Sequence, residues 1–303
     1  MKNKLTGLKT ILLSMIVMAL WGSLFPCIKI GYKAFAINGN DIPSILMFAG
    51  LRFTICGAVI CLMALLGKDK TKAPTKKSLF IILLAGLFSV VLHYSLLYIG
   101  ISSTDSSKTA IIKQLGSLLY VCFAFLFFKN ESFSVLKIVG AVVGFLGIIA
   151  INFSTSGILF QSGDILIILA SFCTVTASVL IKKIASNNST FYITGISQLA
   201  GGIFLTAIAI ILGANFLSFN WVALGVFAYI CTASTIAYLL WNNLIKSSDL
   251  SNMFIIKFSE PLFACLFGAI LLGENIFKLQ YLFAFILISA GITIGSKAKN
   301  PKE

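Results

Sequence analysis

The sequence predicts an all-α polytopic membrane protein with ten transmembrane helices in two inverted five-helix repeats. Three observations carry that expectation. The 303 residues are 59% hydrophobic and only 11% charged, with a mean hydropathy of +1.03, more apolar surface than one water-soluble core can bury. The apolar residues gather into stretches of roughly 17–25, each long enough to cross a bilayer as a helix. Finally, Ser103-Thr-Asp-Ser-Ser-Lys-Thr-Ala-Ile-Ile-Lys113 recurs 144 positions later as Ser247-Ser-Asp-Leu-Ser-Asn-Met-Phe-Ile-Ile-Lys257. The same offset aligns Tyr94 with Tyr238, Leu118 with Leu262, Phe123 with Phe267 and Gly147 with Gly291, so one unit is duplicated.

The ten stretches lie near residues 10–33, 43–66, 78–100, 105–128, 134–152, 163–183, 191–212, 220–243, 249–272 and 277–296. The first follows a basic start, Met1-Lys-Asn-Lys, but is longer than a signal-peptide core. It lacks a small-x-small cleavage site and reads as an uncleaved span. The connections are short, and only Gly67 to Lys77 is long and polar. The repeats are expected over 1–155 and 156–303, in one membrane domain with no separate soluble domain.

Lysine placement gives the orientation. With the N-terminus inside, sixteen lysines fall on the cytoplasmic side, among them Lys9, Lys76, Lys77, Lys137, Lys182, Lys183 and Lys246; the other side has clearly only Lys33 and Lys278. The net charge of +14 therefore reflects topology in a cytoplasmic (inner) membrane with both termini cytoplasmic. No nucleic-acid partner is implied. Five spans per repeat make the second copy enter from the opposite face, an inverted arrangement found in secondary transporters.

The repeated lysines are the first candidates for function, because an ionisable group inside an apolar span is costly and needs a reason. Lys113 lies eight residues past Asp105, and Lys257 eight past Asp249, about 12 Å of helix rise in each case. Measured from opposite faces of a core about 30 Å thick, both depths reach the midplane. Glu260, three residues after Lys257, is the expected partner on the same helical face. That pair is either a closed structural contact or part of a site. Lys113 has only Gln114 and Ser117 nearby, so its charge is left for an anionic solute group.

Other polar residues within spans join the candidate set. Arg52 in span two sits opposite Gln198 in span seven. His93 adjoins Tyr94, and a lone histidine is either an interior hydrogen-bonded group or a substrate or proton group. Trp21, beside Gly22 and Pro26, is a cavity candidate, as is Tyr238. Trp241, at the end of span eight, reads as an interfacial anchor. The cysteines at 27, 56, 61, 122, 173, 231 and 265 have no metal-ligand spacing and read as packing residues. Gly140-x-x-x-Gly144 has the spacing that lets membrane helices approach, which makes spans five and ten scaffold or homodimer faces. Pro26 and Pro261 each free a backbone carbonyl within a span.

Several segments together resemble the drug/metabolite transporter superfamily, specifically EamA-type permeases. These are Leu20-Trp21-Gly22-Ser23-Leu24-Phe25-Pro26-Cys27-Ile28-Lys29, Phe48-Ala-Gly-Leu-Arg52-Phe53, Gly163-Asp164-Ile-Leu-Ile-Ile-Leu-Ala-Ser-Phe, and Glu260-Pro261-Leu262-Phe263-Ala264 with Leu271-Leu272-Gly273-Glu274. The chain departs from that pattern at Gly116-Ser117-Leu118, where many members have a proline. The resemblance implies alternating access around a central cavity. Its members include amino-acid and metabolite exporters, some importers, and phosphate-ester exchangers that also carry paired central lysines.

The expected function is secondary active transport, in the exporting direction, of a small polar solute such as an amino acid or another anionic or zwitterionic metabolite. Lys113, Lys257, Glu260, Trp21, Tyr94, Tyr238, His93, Arg52, Gln114 and Gln198 form the expected binding set, with a coupling proton as a possible second substrate. No cofactor motif and no catalytic cluster is visible. A non-transporting scaffold or receptor and a passive channel are the alternatives.

Overall fold

The computed structural model describes residues 7–66, 73–101, 112–123, 133–152, 162–215, 220–273 and 279–297. Every regular element among them is helical. The first repeat contributes α1 (Gly7–Ala34), α2 (Ile42–Leu66), α3 (Lys76–Gly86), a π-helical stretch at Leu87–Leu92, α4 (His93–Ile101), α5 (Leu115–Phe123) and α6 (Val135–Asn152). The second contributes α7 (Ser162–Ile184), α8 (Thr190–Ile211), α9 (Trp221–Ser247), α10 (Leu250–Lys257), α11 (Glu260–Leu272) and α12 (Leu279–Ser296).

Seven continuous helical stretches are long and apolar enough to cross a membrane, and Val135–Ala150 and Leu282–Gly295 are shorter apolar helices. Span boundaries fall within a few residues of those expected. Only 112–123 of the expected fourth span is described, and the boundary between repeats near residue 155 lies outside the described residues.

Helix starts fall where a small polar residue can take up free backbone N–H groups. Thr75 Oγ1 accepts from the Ser78 amide at 3.2 Å, and Asn220 Oδ1 accepts from Ala223 at 2.8 Å. Asp249 Oδ1 accepts from Ser251 at 2.9 Å and Asn252 at 3.3 Å. The lipid-side faces are then free to be apolar, as the bilayer requires: Leu66, Ile211 and Leu279 are all exposed.

The packing pattern repeats across the two halves. α2 lies against α8 and α6 against α12, while α1 packs on α9 and α11, as α7 packs on α3, α4 and α5. The α6–α12 contact depends on glycine. A Cβ built on Gly140 would stand 2.6 Å from the Gly291 carbonyl oxygen, and one on Gly291 would stand 2.6 Å from the Gly140 oxygen. The Gly140–Gly144 spacing expected to serve a scaffold or a dimer face is therefore used for packing within the chain.

Contacts between turns tie the two ends of the bundle. At one end Asn220 Nδ2 donates to the Ala34 carbonyl at 2.9 Å, and the Asn215 amide donates to Ser44 Oγ at 3.2 Å. At the other, Asn188 Nδ2 donates to Ser78 Oγ at 3.2 Å and accepts, through its carbonyl, from Lys246 Nζ at 3.4 Å.

Helix geometry is interrupted where the site lies. Phe258 and Ser259 form a turn between α10 and α11, and Gln114 is a turn residue between helical residues 112–113 and α5. Both breaks come immediately after the repeated lysine. Pro261 opens α11, where its missing N–H costs nothing, whereas Pro26 is carried inside α1. The π-helical stretch ends at Leu92 and aims His93 and Tyr94; such local widenings are frequent at functional positions.

Candidate functional site

Between the repeats lies a cavity of about 550 Å³, within the range of small-molecule sites. Of the ten residues expected to line a site, it brings together nine: Trp21, Arg52, His93, Tyr94, Lys113, Gln198, Tyr238, Lys257 and Glu260. Gln114 is the exception. It is 2% exposed and does not line the cavity, because the turn it forms after Lys113 directs it into the packed interior. Its Oε1 has no hydrogen-bond partner.

The charge pairing differs from the expected one. Lys113 Nζ, not Lys257, contacts Glu260 Oε1, at 3.1 Å, so the pair joins the two repeats rather than neighbours on one helix. The reason is the turn at Phe258–Ser259. The three-residue spacing places side chains together only on a continuous helix, and here Lys257 ends α10 while Glu260 begins α11. Among the described residues Lys257 makes no ion pair within 4.0 Å. Its ammonium stands 6.0 Å from the Trp21 ring centroid and 5.7 Å from that of Phe254, and it faces the cavity. Lys113 also lies 4.8 Å from the Phe25 centroid.

Aromatic rings pack together beside these charges. Trp21 meets Tyr238 at 5.4 Å and Trp241 at 5.2 Å between centroids. Phe53 meets Tyr94 at 4.9 Å and Tyr238 at 5.9 Å. These separations lie within the favourable range for edge and tilted ring pairs. Trp241, expected at the interface, is buried and lines the cavity. The exposed tryptophan at a helix start is Trp221, at 89%. His93 Nδ1 lies 2.9 Å from the Ala170 carbonyl oxygen. A carbonyl only accepts, so Nδ1 carries the proton and the ring orientation is fixed.

The cavity reaches the end of the bundle that carries Gly39 and Asn40, and no residue of the 185–189 or 247–249 turns lines it. At that second end Lys137 Nζ meets Asp249 Oδ2 at 2.5 Å, with the side chains 3% and 8% exposed. Lys182 Nζ donates to the Ile245 carbonyl at 2.6 Å and to the Ser248 carbonyl. Lys137, counted with the cytoplasmic lysines, is half of a buried clasp between α6 and the N-cap of α10. The signal for its partner was present in the sequence: Asp249 has the spacing of a helix N-cap, whose Oδ1 accepts from the first-turn amides while Oδ2 meets the lysine.

The profile of the EamA-like transporter family matches residues 8–153 and, a second time, 161–296. The chain belongs to the EamA-like transporter family. It is similar to "Uncharacterized transporter YvbV" of Bacillus subtilis, 25% identical over 99% of this chain and 96% of that one. It also resembles "Uncharacterized inner membrane transporter YedA" of Escherichia coli K12, 28% identical over 90% and 88% of the two chains. A solved structure described as "Crystal structure of protein" superposes with a TM-score of 0.76 at 20% identity, covering 94% of this chain and 95% of that one, and so shares the fold. This EamA-like chain is therefore a multi-pass membrane transporter whose two family units face each other across the cavity.

Proposed function

We propose that this chain is a ten-span secondary transporter with repeats divided near residue 155, carrying a small anionic or zwitterionic metabolite by alternating access. The single observation that carries the reading is the Lys113–Glu260 contact between repeats, beside a Lys257 that makes no ion pair among the described residues, in a cavity whose described lining reaches the Gly39–Asn40 end and not the turns at the other. A solute carboxylate entering the cavity is attracted to Lys257 and competes with Glu260 for Lys113. Glu260, once displaced, is the group placed to take the coupling proton.

The pairing of turns supports inversion: α1 ends beside the start of α9, whereas its counterpart α7 ends beside the start of α3. With both termini cytoplasmic, the cavity faces outward, and Lys137–Asp249 belongs to the cytoplasmic gate. Export is the direction proposed for net flux, which requires that gate to open. Opening breaks a buried ion pair, and each partner then needs water or a new contact.

Two measurements test these assignments. In proteoliposomes, Lys113→Ala and Lys257→Ala are each expected to lower saturable metabolite flux by at least tenfold; full flux in both variants removes the lysines from the site. Counterflow separates a carrier from a channel, and absence of flux with every solute favours a scaffold. For the gate, Asp249→Ala is expected to lower flux about tenfold, while the exchange Lys137→Asp with Asp249→Lys recovers part of it. Equal flux in the single and exchanged variants would remove the clasp from the transport cycle.

A further inference from the structure

Away from the lysine–glutamate cluster the cavity holds polar groups that the reading above leaves unused. Arg52 on α2 and Gln198 on α8 are each 2% exposed and both line the cavity. Among the described residues no carboxylate pairs with Arg52. Its Nε has no hydrogen-bond partner, and its Cζ lies 4.3 Å from the Phe53 centroid and 5.3 Å from that of Tyr94. Both amide atoms of Gln198, Oε1 and Nε2, also lack partners.

An unanswered guanidinium and an unanswered amide are costly to bury, and ring contacts offset that only partly. A guanidinium fork is shaped for the two oxygens of a carboxylate. Gln198 Nε2 adds a third donor, and its Oε1 can accept from a hydroxyl or amine beside that carboxylate. The other pole has Lys257 with no ion pair and Lys113 shared with Glu260. Arg52, Lys113 and Lys257 against Glu260 leave a formal charge of +2 among these four cavity-lining groups, which a solute with one negative group only half neutralises.

Resting on the transport reading above, we propose that the solute is a dicarboxylate, one carboxylate held by Arg52 and Gln198 and the other drawn to Lys257 and Lys113. Calorimetric titration of the full chain in nanodiscs with succinate, malate, glutarate and the monocarboxylate butyrate tests this. At least one dicarboxylate is expected to bind about tenfold to a hundredfold tighter than butyrate. Arg52→Gln is expected to lose that preference, its dicarboxylate and butyrate affinities falling within about twofold of each other. Gln198→Leu, which adds no charge change to the core, is expected to erase any preference for malate over succinate. Lys257→Gln is expected to weaken both ligand classes.

Butyrate binding as tightly as every dicarboxylate, or an unchanged ratio in Arg52→Gln, overturns the inference. If Lys257→Gln still weakens butyrate in that case, the transport reading survives it. No binding by any of the four acids overturns the dicarboxylate assignment, and lysine variants with full metabolite flux overturn the parent reading separately.

Discussion

Replacing Glu260 with alanine is expected to abolish transport and to destabilise the protein by less than the about 3–5 kcal/mol typical of breaking a fully buried ion pair, because the Lys113 side chain is 19% exposed. Two ammonium groups then share the cavity with no carboxylate between them. Lys113→Met in the same chain removes one of those charges and is expected to recover part of the lost stability, because no ammonium is then left without the carboxylate it paired with. It is not expected to recover flux, since the solute has lost a cation and the cycle its carboxylate. Thermal unfolding in detergent and proteoliposome flux, measured on all four members of the cycle, separate the two effects. Recovery of flux in the double variant would falsify a transport role for the pair and leave it a structural contact.

Gly140→Val is expected to have the largest purely structural effect. The new Cβ would meet the Gly291 carbonyl oxygen at 2.6 Å, the Gly295 amide nitrogen at 2.7 Å and the Gly295 Cα at 2.9 Å. All three are backbone atoms, so no rotamer change relieves them. α6 and α12 must separate along their common face, and the cost should exceed the roughly 1–3 kcal/mol typical of an overpacked core side chain. In a bilayer the loss is not softened by hydrophobic collapse, because close backbone packing itself holds such helices together. Gly225→Ala is the control: nothing lies within 4 Å of a Cβ there, and alanine is favoured over glycine inside a helix. If the melting temperatures of the two variants match, the glycine contact is not what joins these helices.

Much of the cavity lining was legible in the sequence. The duplicated Ile-Ile-Lys placed Lys113 and Lys257 at equal depth from opposite faces, and the two do line one cavity. Arg52 and Gln198, matched across repeats under a shifted register, line it as well. What could not be read was pairing. The i, i+3 rule assigned Glu260 to Lys257 because it presumes an unbroken helix, and the turn at Phe258–Ser259 turns Glu260 toward Lys113 instead. Gln114 was misplaced for the same reason. Trp241 looked like an interfacial anchor because it falls near a span end, yet it is buried against Trp21 and Phe254.

By itself the sequence determined the membrane setting, the duplication and the approximate course of the long apolar helices, since these follow from hydropathy, length and internal repetition. Which carboxylate meets which ammonium, where Lys137 finds Asp249, and where the glycines pack were decided only in three dimensions. Those properties depend on how separate helices break, turn and cover one another, and a periodicity along one chain carries no record of its neighbours across the bundle.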